Sequence, residues 1–409
     1  MPRRGALARR SAGEWGIRGL LALSAAAVGY VSVSRTLAST LGTRAIERAH
    51  VLAPEDGRIT ALLSQKMSGA EATPADRNRA DQLARTALTQ DPTAVVAAAT
   101  LGLNAQVRGD TAGARRLFNY AEALSRRDLQ TQLWAIEDAV GRGDVTDALR
   151  HYDIALRTSR IAPDLLFPVL ASAITEPSVR TALIKTLAGK PSWDEAFLYH
   201  AANDGADPRA TASLFYGLNR AGIRVPQGAG TALVNALISR GFLDVAWSYY
   251  AAVHPGVDRR MSRDPRFTAD LTEPSPFDWT PISDAGVSVS IQRSDRGGLV
   301  DFSVPASIGG PMLRQMQLLP PGEYLLAGHS AGIDQPESSR PYWTLSCRDG
   351  RELGRVVIPN SAQANGAFAG RFSVPTGCPV QTLALVARPS DAVSGVSGQI
   401  HQVRLMSAR

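Results

Sequence analysis

The sequence predicts a multidomain α + β protein with an N-terminal transmembrane helix, an α-solenoid of helical repeats and a C-terminal antiparallel β-sandwich. Three observations support this fold class. An uncharged apolar stretch lies near the N-terminus, helical patterns recur every 34 residues in the middle, and short alternating strands fill the last part of the chain. The 409 residues exceed what one hydrophobic core usually holds, so several domains are expected.

Residues 19–41 are predicted to form a transmembrane helix or signal anchor. The segment from Gly19 to Ser34 has no charged side chain, and five arginines lie in residues 1–18. Because positive charge beside a membrane span stays in the cytoplasm, residues 1–18 are predicted to be a cytoplasmic basic segment. The bulk of the chain would then lie in the periplasm, held by a single span in a bacterial inner membrane. A cleaved signal peptide has the same pattern and remains an alternative.

The distribution of charge does not favour a nucleic-acid partner. The formal net charge is +7, and residues 1–18 contribute +4 of it through five arginines and one glutamate. The remainder is spread thinly over the rest of the chain. Nucleic-acid binding requires a concentrated basic surface, so no such partner is expected.

A repeat is the clearest internal pattern. Gly109-Asp110 recurs 34 residues later as Gly143-Asp144. Small residues let antiparallel helices approach closely, aromatic residues fill the space between neighbouring hairpins, and glycine closes the turn. The pattern therefore predicts stacked helical hairpins. Three further pairs keep the same spacing: Ala114 with Ala148, Phe118 with Tyr152, and Ala121 with Ala155.

These residues, with Leu101-Gly102 upstream and Pro92 as a helix terminator, resemble the tetratricopeptide repeat. The resemblance is clearest in residues 76–158, although Ala135-Ile136 replaces the leucine–glycine pair in the second copy. Helical patterning continues further, so residues 50–255 are predicted to form one TPR-like solenoid.

Solenoids of this family bind protein partners on a concave face that is lined by the first helix of each pair. The alternative is that the side chains on this face only pack against each other or lie in solvent. The resemblance places five candidate partner-binding residues there: Val96, Leu103, Gln106, Leu133 and Glu137.

Residues 256–284 are rich in Pro, Asp and Arg and are predicted to be a linker. In residues 285–409, nine short alternating runs follow, separated by turn-forming residues. This pattern is typical of an antiparallel β-sandwich or jelly roll. Cys347 and Cys378 are the only cysteines, and export of the domain predicts a disulfide between them. Two unpaired thiols in a reducing compartment are the alternative.

Aromatic residues of this domain occur as Phe277-Asp278-Trp279 and as Tyr342-Trp343. With the turn Leu319–Tyr324, they resemble the jelly-roll and galactose-binding-like sandwiches of carbohydrate-binding modules. The resemblance implies exposed aromatic rings that stack on sugar rings. It makes Trp279, Tyr342 and Trp343 candidate glycan-binding residues, and packing in the core is the alternative.

No catalytic residue, metal site or cofactor is predicted. Residues 328–332 match the G-x-S-x-G motif around Ser330, but that motif requires a helix after the serine, and this region predicts strands. Hydrolase chemistry at Ser330 is kept only as an alternative. The six histidines are isolated, with no spacing typical of a metal site.

Together these parts predict a membrane-anchored periplasmic scaffold or adaptor. The resemblance to tetratricopeptide proteins of cell-envelope assembly implies cell-envelope or exopolysaccharide production and export as its setting. The solenoid would bind a protein partner and the sandwich a glycan. A carbohydrate-active enzyme and a purely structural envelope protein are the alternatives. The enzyme would need two carboxylates about 5–10 Å apart in a pocket of the β-domain.

Overall fold

The computed structural model describes residues 12–270, 272–284, 286–294 and 297–408. Most of the predicted basic segment, residues 1–11, lies outside the described residues. These described residues contain 14 α-helices followed by ten β-strands, and the strands form two sheets. The α + β fold class with a C-terminal β-sandwich is therefore confirmed. The chain divides into two compact units, Met1–Pro163 and Asp164–Arg409.

The first helix, α1, is long and apolar. It runs from Ala12 to Leu41, which is 30 residues. At a rise of 1.5 Å per residue it spans about 45 Å, more than the roughly 30 Å hydrocarbon core of a bilayer. Its mean hydropathy reaches 1.5, and large side chains such as Leu23 and Tyr30 are exposed. The helix is long and apolar enough to cross a membrane, and a signal sequence meets the same criteria.

Seven shorter helices complete the first unit, and they pack mainly in sequential pairs, α3 with α4, α5 with α6 and α7 with α8. Their bounds are α2 Ile46–Leu52, α3 Gly57–Met67, α4 Pro74–Gln90, α5 Val95–Val107, α6 Thr111–Leu124, α7 Leu129–Gly141 and α8 Val145–Thr158.

The repeated Gly-Asp pair fixes the turns within two of these helix pairs. Gly109 and Gly143 have φ values of 82° and 72°, a left-handed conformation that glycine adopts without steric cost. Asp110 and Asp144 follow, and each carboxylate accepts a hydrogen bond from an amide in the first turn of the next helix. The pair therefore determines where one helix ends and the next begins.

Small side chains dominate the interior of the first unit. The aromatic rings of Phe118 and Trp134 stack with centroids 4.5 Å apart. Gly102 faces the Phe118 ring so closely that a Cβ there would lie 2.8 Å from a ring atom. Small residues on the facing helices therefore leave the space that the rings fill. Fully buried alanines in this unit include Ala80, Ala84, Ala87, Ala97, Ala98, Ala99, Ala114, Ala121, Ala139 and Ala155.

The second unit contains the remaining helices and the whole sandwich. Its boundary at Asp164 divides the predicted 50–255 solenoid, because α10 to α14 belong to the same compact unit as the β-strands. The helices are α9 Ala162–Ala173, α10 Pro177–Ala188, α11 Asp194–Asp204, α12 Pro208–Arg220, α13 Gln227–Ser239 and α14 Leu243–Val253.

Two five-stranded antiparallel sheets form the sandwich. The first sheet has the order β1-β4-β9-β6-β7, and the second has the order β2-β3-β10-β5-β8. The strands are β1 Thr280–Pro281, β2 Ser288–Ser294, β3 Gly297–Val304, β4 Gly310–Gln317, β5 Gly322–Ala331, β6 Tyr342–Cys347, β7 Glu352–Val357, β8 Ala367–Val374, β9 Gln381–Ala387 and β10 Val396–Ser407.

One hydrophobic cluster fills the space between the two sheets, and its largest members include Trp343, Phe302 and Phe372. Buried residues alternate with partly buried ones in β6 and mostly with exposed ones in β8, as expected when one face of each sheet is covered. Cys347 and Cys378 form a disulfide, which confirms the predicted pairing.

The segment predicted as a linker, residues 256–284, is packed against the sandwich instead. Phe267 and Phe277 are completely buried, and Trp279 is nearly so. Strand β1 also falls in this segment. The linker interpretation is corrected for a physical reason: the aromatic residues between the prolines and charges supply core and edge contacts for the sheets.

Arg263, in the same segment, is a buried cation. Its guanidinium donates to the carbonyls of Phe277 and Met316 and to the Gln317 side chain. It also lies over the rings of Trp247 and Phe277, at 5.6 Å from each centroid. Burial lowers the pKa of Arg263 to about 10. This one side chain joins α14, the 256–284 segment and β4.

Candidate functional site

The segment from Met261 to Pro265 extends the second sheet along β10. Met261 forms an antiparallel bridge with Met406, and the Val403 amide donates to the Pro265 carbonyl at 3.0 Å. Strand β3 pairs only with the first half of β10. The segment therefore satisfies backbone groups that β3 leaves free.

A strained turn follows and positions Arg266 at the surface. Asp264 and Phe267 have φ values of 45° and 56°, a left-handed conformation that costs a residue with a side chain roughly 1–3 kcal/mol. Hydrogen bonds from outside the turn hold it in place: the Trp279 indole donates to the Asp264 carbonyl, and the Gly298 amide donates to the Arg266 carbonyl. The Arg266 side chain is exposed beside β3.

A groove of about 420 Å³ lies beside this turn, and we call it the sheet groove. His329 on β5 and His401 on β10 belong to it, with ring centroids 6.0 Å apart. Imidazole and amide side chains can donate and accept hydrogen bonds, so the groove offers partners for hydroxyl groups. The described lining residues are Arg266, Gln292, Arg293, Gly297, Gly298, Leu299, His329, His401 and Gln402.

The described part of the sheet groove is cationic. Among its described lining residues there are two arginines and no carboxylate. Arg293 lies 3.5 Å from Asp270, whose side chain is 94% exposed. Such a solvated pair neutralises the guanidinium only weakly.

None of these lining residues stands out in the sequence. Polar residues are expected on the solvent side of any strand in a sandwich, and the groove collects them from separate strands and one turn. The run Arg263–Phe267, which contains Arg266, was the available signal, but its Pro, Asp and Arg content favours a linker.

The aromatic candidates for glycan binding are mostly in the interior. Trp279 is 4% exposed and Trp343 is 0% exposed, and both belong to the core cluster. The expectation that either ring is an open platform for a sugar is therefore corrected, because burial between the sheets stabilises these large rings.

Tyr342 alternates with Trp343 and lies half-buried on the other face of β6. Two guanidinium groups lie over its ring, Arg355 at 4.7 Å and Arg388 at 4.9 Å from the centroid. The ring thus already has cation–π partners within the chain. Its role in glycan binding stays a prediction.

The five partner-binding candidates lie on α5 and α7, the first helices of two sequential pairs. Gln106 and Glu137 are exposed, and the Gln106 carbonyl oxygen accepts a hydrogen bond from the Trp134 indole. The other three, Val96, Leu103 and Leu133, are half-buried. Contact between these residues and a partner stays a prediction.

A charged pocket of about 300 Å³ lies between α6, α7 and α8. Asp138 pairs with Arg115 at 2.6 Å and with Arg142 at 3.1 Å, and these hydrogen bonds lower the pKa of the Asp138 carboxyl. Arg150 continues the chain of charges by pairing with Glu122. The arginine side chains are 43–50% exposed and Asp138 is 12% exposed, so cations form the outer surface.

His151 lies buried beneath this pocket. The Arg150 guanidinium can only donate hydrogen bonds, so Nε2 of His151 accepts from it. The proton of the neutral imidazole therefore lies on Nδ1, which donates to the side-chain oxygen of Gln132. Burial and the neighbouring Arg150 charge both lower the pKa of His151. The imidazole is therefore held neutral in the folded protein.

Ser330 lies inside strand β5 and is 1% exposed. Its hydroxyl donates to the Gly366 carbonyl at 3.1 Å. A strand thus contains the serine where the nucleophile motif requires a turn into a helix. Within the described residues, no three His, Cys, Asp or Glu side chains come together as a metal site.

A further cavity, of about 270 Å³, lies beside α13 and α14. The Tyr250 hydroxyl donates to the Asp278 carboxylate at 2.6 Å, and that carboxylate also accepts from the amide and hydroxyl of Ser275. Burial and the Asp278 charge raise the pKa of Tyr250. These polar groups satisfy one another and fasten the 256–284 segment to α14.

No protein-family model matches the chain, and no curated protein matches it. Solved structures give distant likenesses. The enzymatically active domain of tailspike protein 4 from bacteriophage CBA120 is 16% identical over 32% of this chain, with a TM-score of 0.23, and the match spans only 19% of that chain.

Two other likenesses cover most of the compared chain. A carbohydrate-binding module of a Cellvibrio mixtus lichenase, solved with cellotriose, is 13% identical over 32% of this chain and 98% of its own, with a TM-score of 0.21. The structure of accessory secretory proteins 1, 2 and 3 from Streptococcus pneumoniae gives a second likeness. It is 15% identical over 30% of this chain and 86% of the compared chain, with a TM-score of 0.20. All these TM-scores are below 0.5, so they carry no argument about function.

Proposed function

We propose that the protein is a membrane-anchored, non-catalytic scaffold of the cell envelope whose sandwich binds a glycan in the sheet groove. The observation that supports the proposal most directly is the groove itself: an open surface lined by imidazole, amide and guanidinium groups. Binding sites of about 300–1,000 Å³ with a few convergent polar groups are typical of small ligands. The setting that we propose is exopolysaccharide production and export.

The chemistry of the groove favours binding over cleavage. Sugar hydroxyls donate and accept hydrogen bonds, and the side chains of His329, His401, Gln292 and Gln402 can do both. Leu299 adds an apolar surface beside them. A glycosidase would instead need a pair of carboxylates in the pocket.

The helical first unit is the proposed binding region for a protein partner. Its paired helices, the left-handed glycines at the turns and the close contact between Gly102 and Phe118 support the resemblance to tetratricopeptide repeats. In this proposal α1 anchors the chain in the inner membrane, and the rest of the first unit and the whole second unit lie in the periplasm. The half-exposed arginines of the charged pocket would then contribute to the partner surface.

Affinity electrophoresis of the full chain in detergent tests glycan binding. The gels would contain a panel of neutral and acidic polysaccharides, and retardation of the wild-type protein by at least one polymer is expected. The double variant His329→Ala with His401→Ala should lose most of that retardation. The matched control is Arg371→Gln, an exposed residue on β8 of the same sheet that lies outside the sheet groove.

Two results would support the alternatives. No retardation by any polymer would favour a purely structural envelope protein. Release of new reducing ends from a polymer would indicate a carbohydrate-active enzyme.

Reporter fusions test the location. Alkaline phosphatase fused at the C-terminus should be active in intact cells, because it folds only after export, and the protein should remain in the membrane fraction. An inactive fusion would contradict the periplasmic placement, and a soluble active one would indicate a cleaved signal peptide.

A further inference from the structure

From the charge and the architecture of the sheet groove, we infer that it takes an acidic polysaccharide, with Arg266 and Arg293 binding sugar carboxylates. The inference rests on the proposed glycan binding and adds the chemical class of the glycan. A planar guanidinium matches a carboxylate with two parallel hydrogen bonds between opposite charges, and the hydroxyl groups of an uncharged sugar lack that negative charge.

Both arginines are available for a ligand. Among the described residues, the Arg266 side chain makes no ion pair or hydrogen bond, and it is exposed. Arg293 has the single pair with Asp270 at 3.5 Å, and that carboxylate is almost fully solvated. A sugar carboxylate could replace Asp270 as the partner of Arg293 at little cost in free energy, because a solvated ion pair is weakly stabilising.

The position of Arg266 is built into the fold. Phe267, the next residue in the turn, is fully buried, so its side chain anchors the backbone that carries the exposed Arg266. A Cβ at Gly298 would lie 2.1 Å from the Phe267 carbonyl oxygen, so only glycine on β3 allows this approach. Strained backbone that surrounding structure enforces is concentrated at functional sites, and Asp264 and Phe267 both have it.

The rest of the groove distinguishes a sugar from a simple anion. His329 and His401 come from adjacent strands, and their rings lie 6.0 Å apart. They can bind hydroxyls while the two arginines bind the carboxylate. A polymer that offers carboxylates without hydroxyls would use only part of the site.

The test compares two forms of one polymer, one with free carboxylates and one with those carboxylates converted to uncharged methyl esters. Full-length protein in detergent is titrated with polygalacturonate and with fully methyl-esterified polygalacturonate, and binding is measured by calorimetry. We expect at least tenfold tighter binding of the acid form, with a difference that shrinks as salt is added. Polyglutamate, a polyanion without sugar rings, is expected to bind at least tenfold more weakly than polygalacturonate.

Variants test whether the tighter binding of the acid form depends on the arginines of the sheet groove. The double variant Arg266→Gln with Arg293→Gln should bind both forms of the polymer equally. The matched control is Arg314→Gln, an exposed arginine on β4 of the other sheet, which should keep the preference. Near-ultraviolet circular dichroism checks that each variant is folded, and the wild-type comparison needs no variant.

The outcomes distinguish the proposed glycan binding from the inferred preference for an acidic polysaccharide. Equal binding of the acid and ester forms overturns the acidic class and leaves glycan binding intact. Binding of neither form, with no retention on any other polysaccharide, overturns both. Polyglutamate binding as tight as polygalacturonate, or an unchanged preference in the double variant, also overturns the inference.

Discussion

The helical first unit and the sandwich of the second unit bury their interiors with different side chains. Among the described residues, the helical first unit includes three small clusters in which alanine is the commonest member. The sandwich has one cluster that includes Trp343, Phe302 and Phe372 and contacts strands of both sheets. An alanine removes little apolar area from water, so each helix pair depends on its immediate neighbours. A perturbation should therefore stay local in the first unit and spread through the whole sandwich.

Two phenylalanines allow the most direct test of this comparison, because Phe118 and Phe372 are each 1% exposed. Replacement of either by alanine should cost about 3–5 kcal/mol. Hydrogen exchange should reveal the difference. For Phe372→Ala, amide protection should fall in strands of both sheets, whereas for Phe118→Ala it should fall only in α5, α6 and α7.

The two variants are each other's control. A loss of protection throughout the first unit in Phe118→Ala would show that its clusters are coupled, and the contrast between the units would be lost.

The disulfide should stabilise the second unit, which contains the sandwich, and not the first unit. Cys347 and Cys378 are 31 residues apart, and closing such a loop stabilises by about 3–4 kcal/mol in the chain-entropy model. The variant with both cysteines replaced by alanine should unfold at lower urea concentration by probes in the sandwich, and at an unchanged concentration by probes in the helices of the first unit. Added reductant should have no further effect on it. An equal shift in both probes would contradict the independence of the two units.

Close helix packing in the first unit predicts a smaller effect at Gly102. Alanine there would place a methyl group 2.8 Å from the Phe118 ring, and such overpacking costs about 1–3 kcal/mol. At Gly141, near the end of α7, a Cβ would have no neighbouring atom within 4 Å, so Gly141→Ala should be neutral or stabilise by up to about 1 kcal/mol. Thermal unfolding of both variants measures the difference. Equal changes in unfolding temperature for the two variants would show that the Phe118 ring can move to make room for the added methyl group.

The neutral His151 predicts the smallest effect, which depends on pH. Its pKa is lower in the folded than in the unfolded chain, so the unfolded chain binds more protons as the pH falls below about 6.5. The first unit should therefore lose stability between pH 7 and 5, by at most about 1.4 kcal/mol per pH unit. His151→Gln should flatten this dependence, and the sandwich should not follow it. A wild-type first unit equally stable at both pH values would contradict the assignment.

The local features of the fold could be predicted from the sequence because they depend on neighbouring residues. Gly109-Asp110 and Gly143-Asp144 combine a left-handed turn residue with a helix cap, and the structure uses both properties. The alternating strands and the cysteine pair were equally informative.

Features that depend on distant residues were not predictable in the same way. The segment 256–284 has the composition of a linker, and its burial follows only from the free edge of β10 and the space between the sheets. The presence of an aromatic residue did not show whether its ring was an exposed sugar-binding platform or part of the core. Trp343 shares its strand face with Leu345 and Cys347, and that pattern favours the interior. The sheet groove exists only after four strands and one turn are assembled.

The buried guanidinium of Arg263 also limits how this protein can be divided or recombined. A fragment that begins at residue 285 would lack Arg263, the chain that completes the edge of β10, and the aromatic rings of Phe267 and Trp279. It would expose an unpaired strand and a depleted interior, which promote aggregation. The smallest fragment that carries an intact sandwich therefore has to include the chain from Met261 onward.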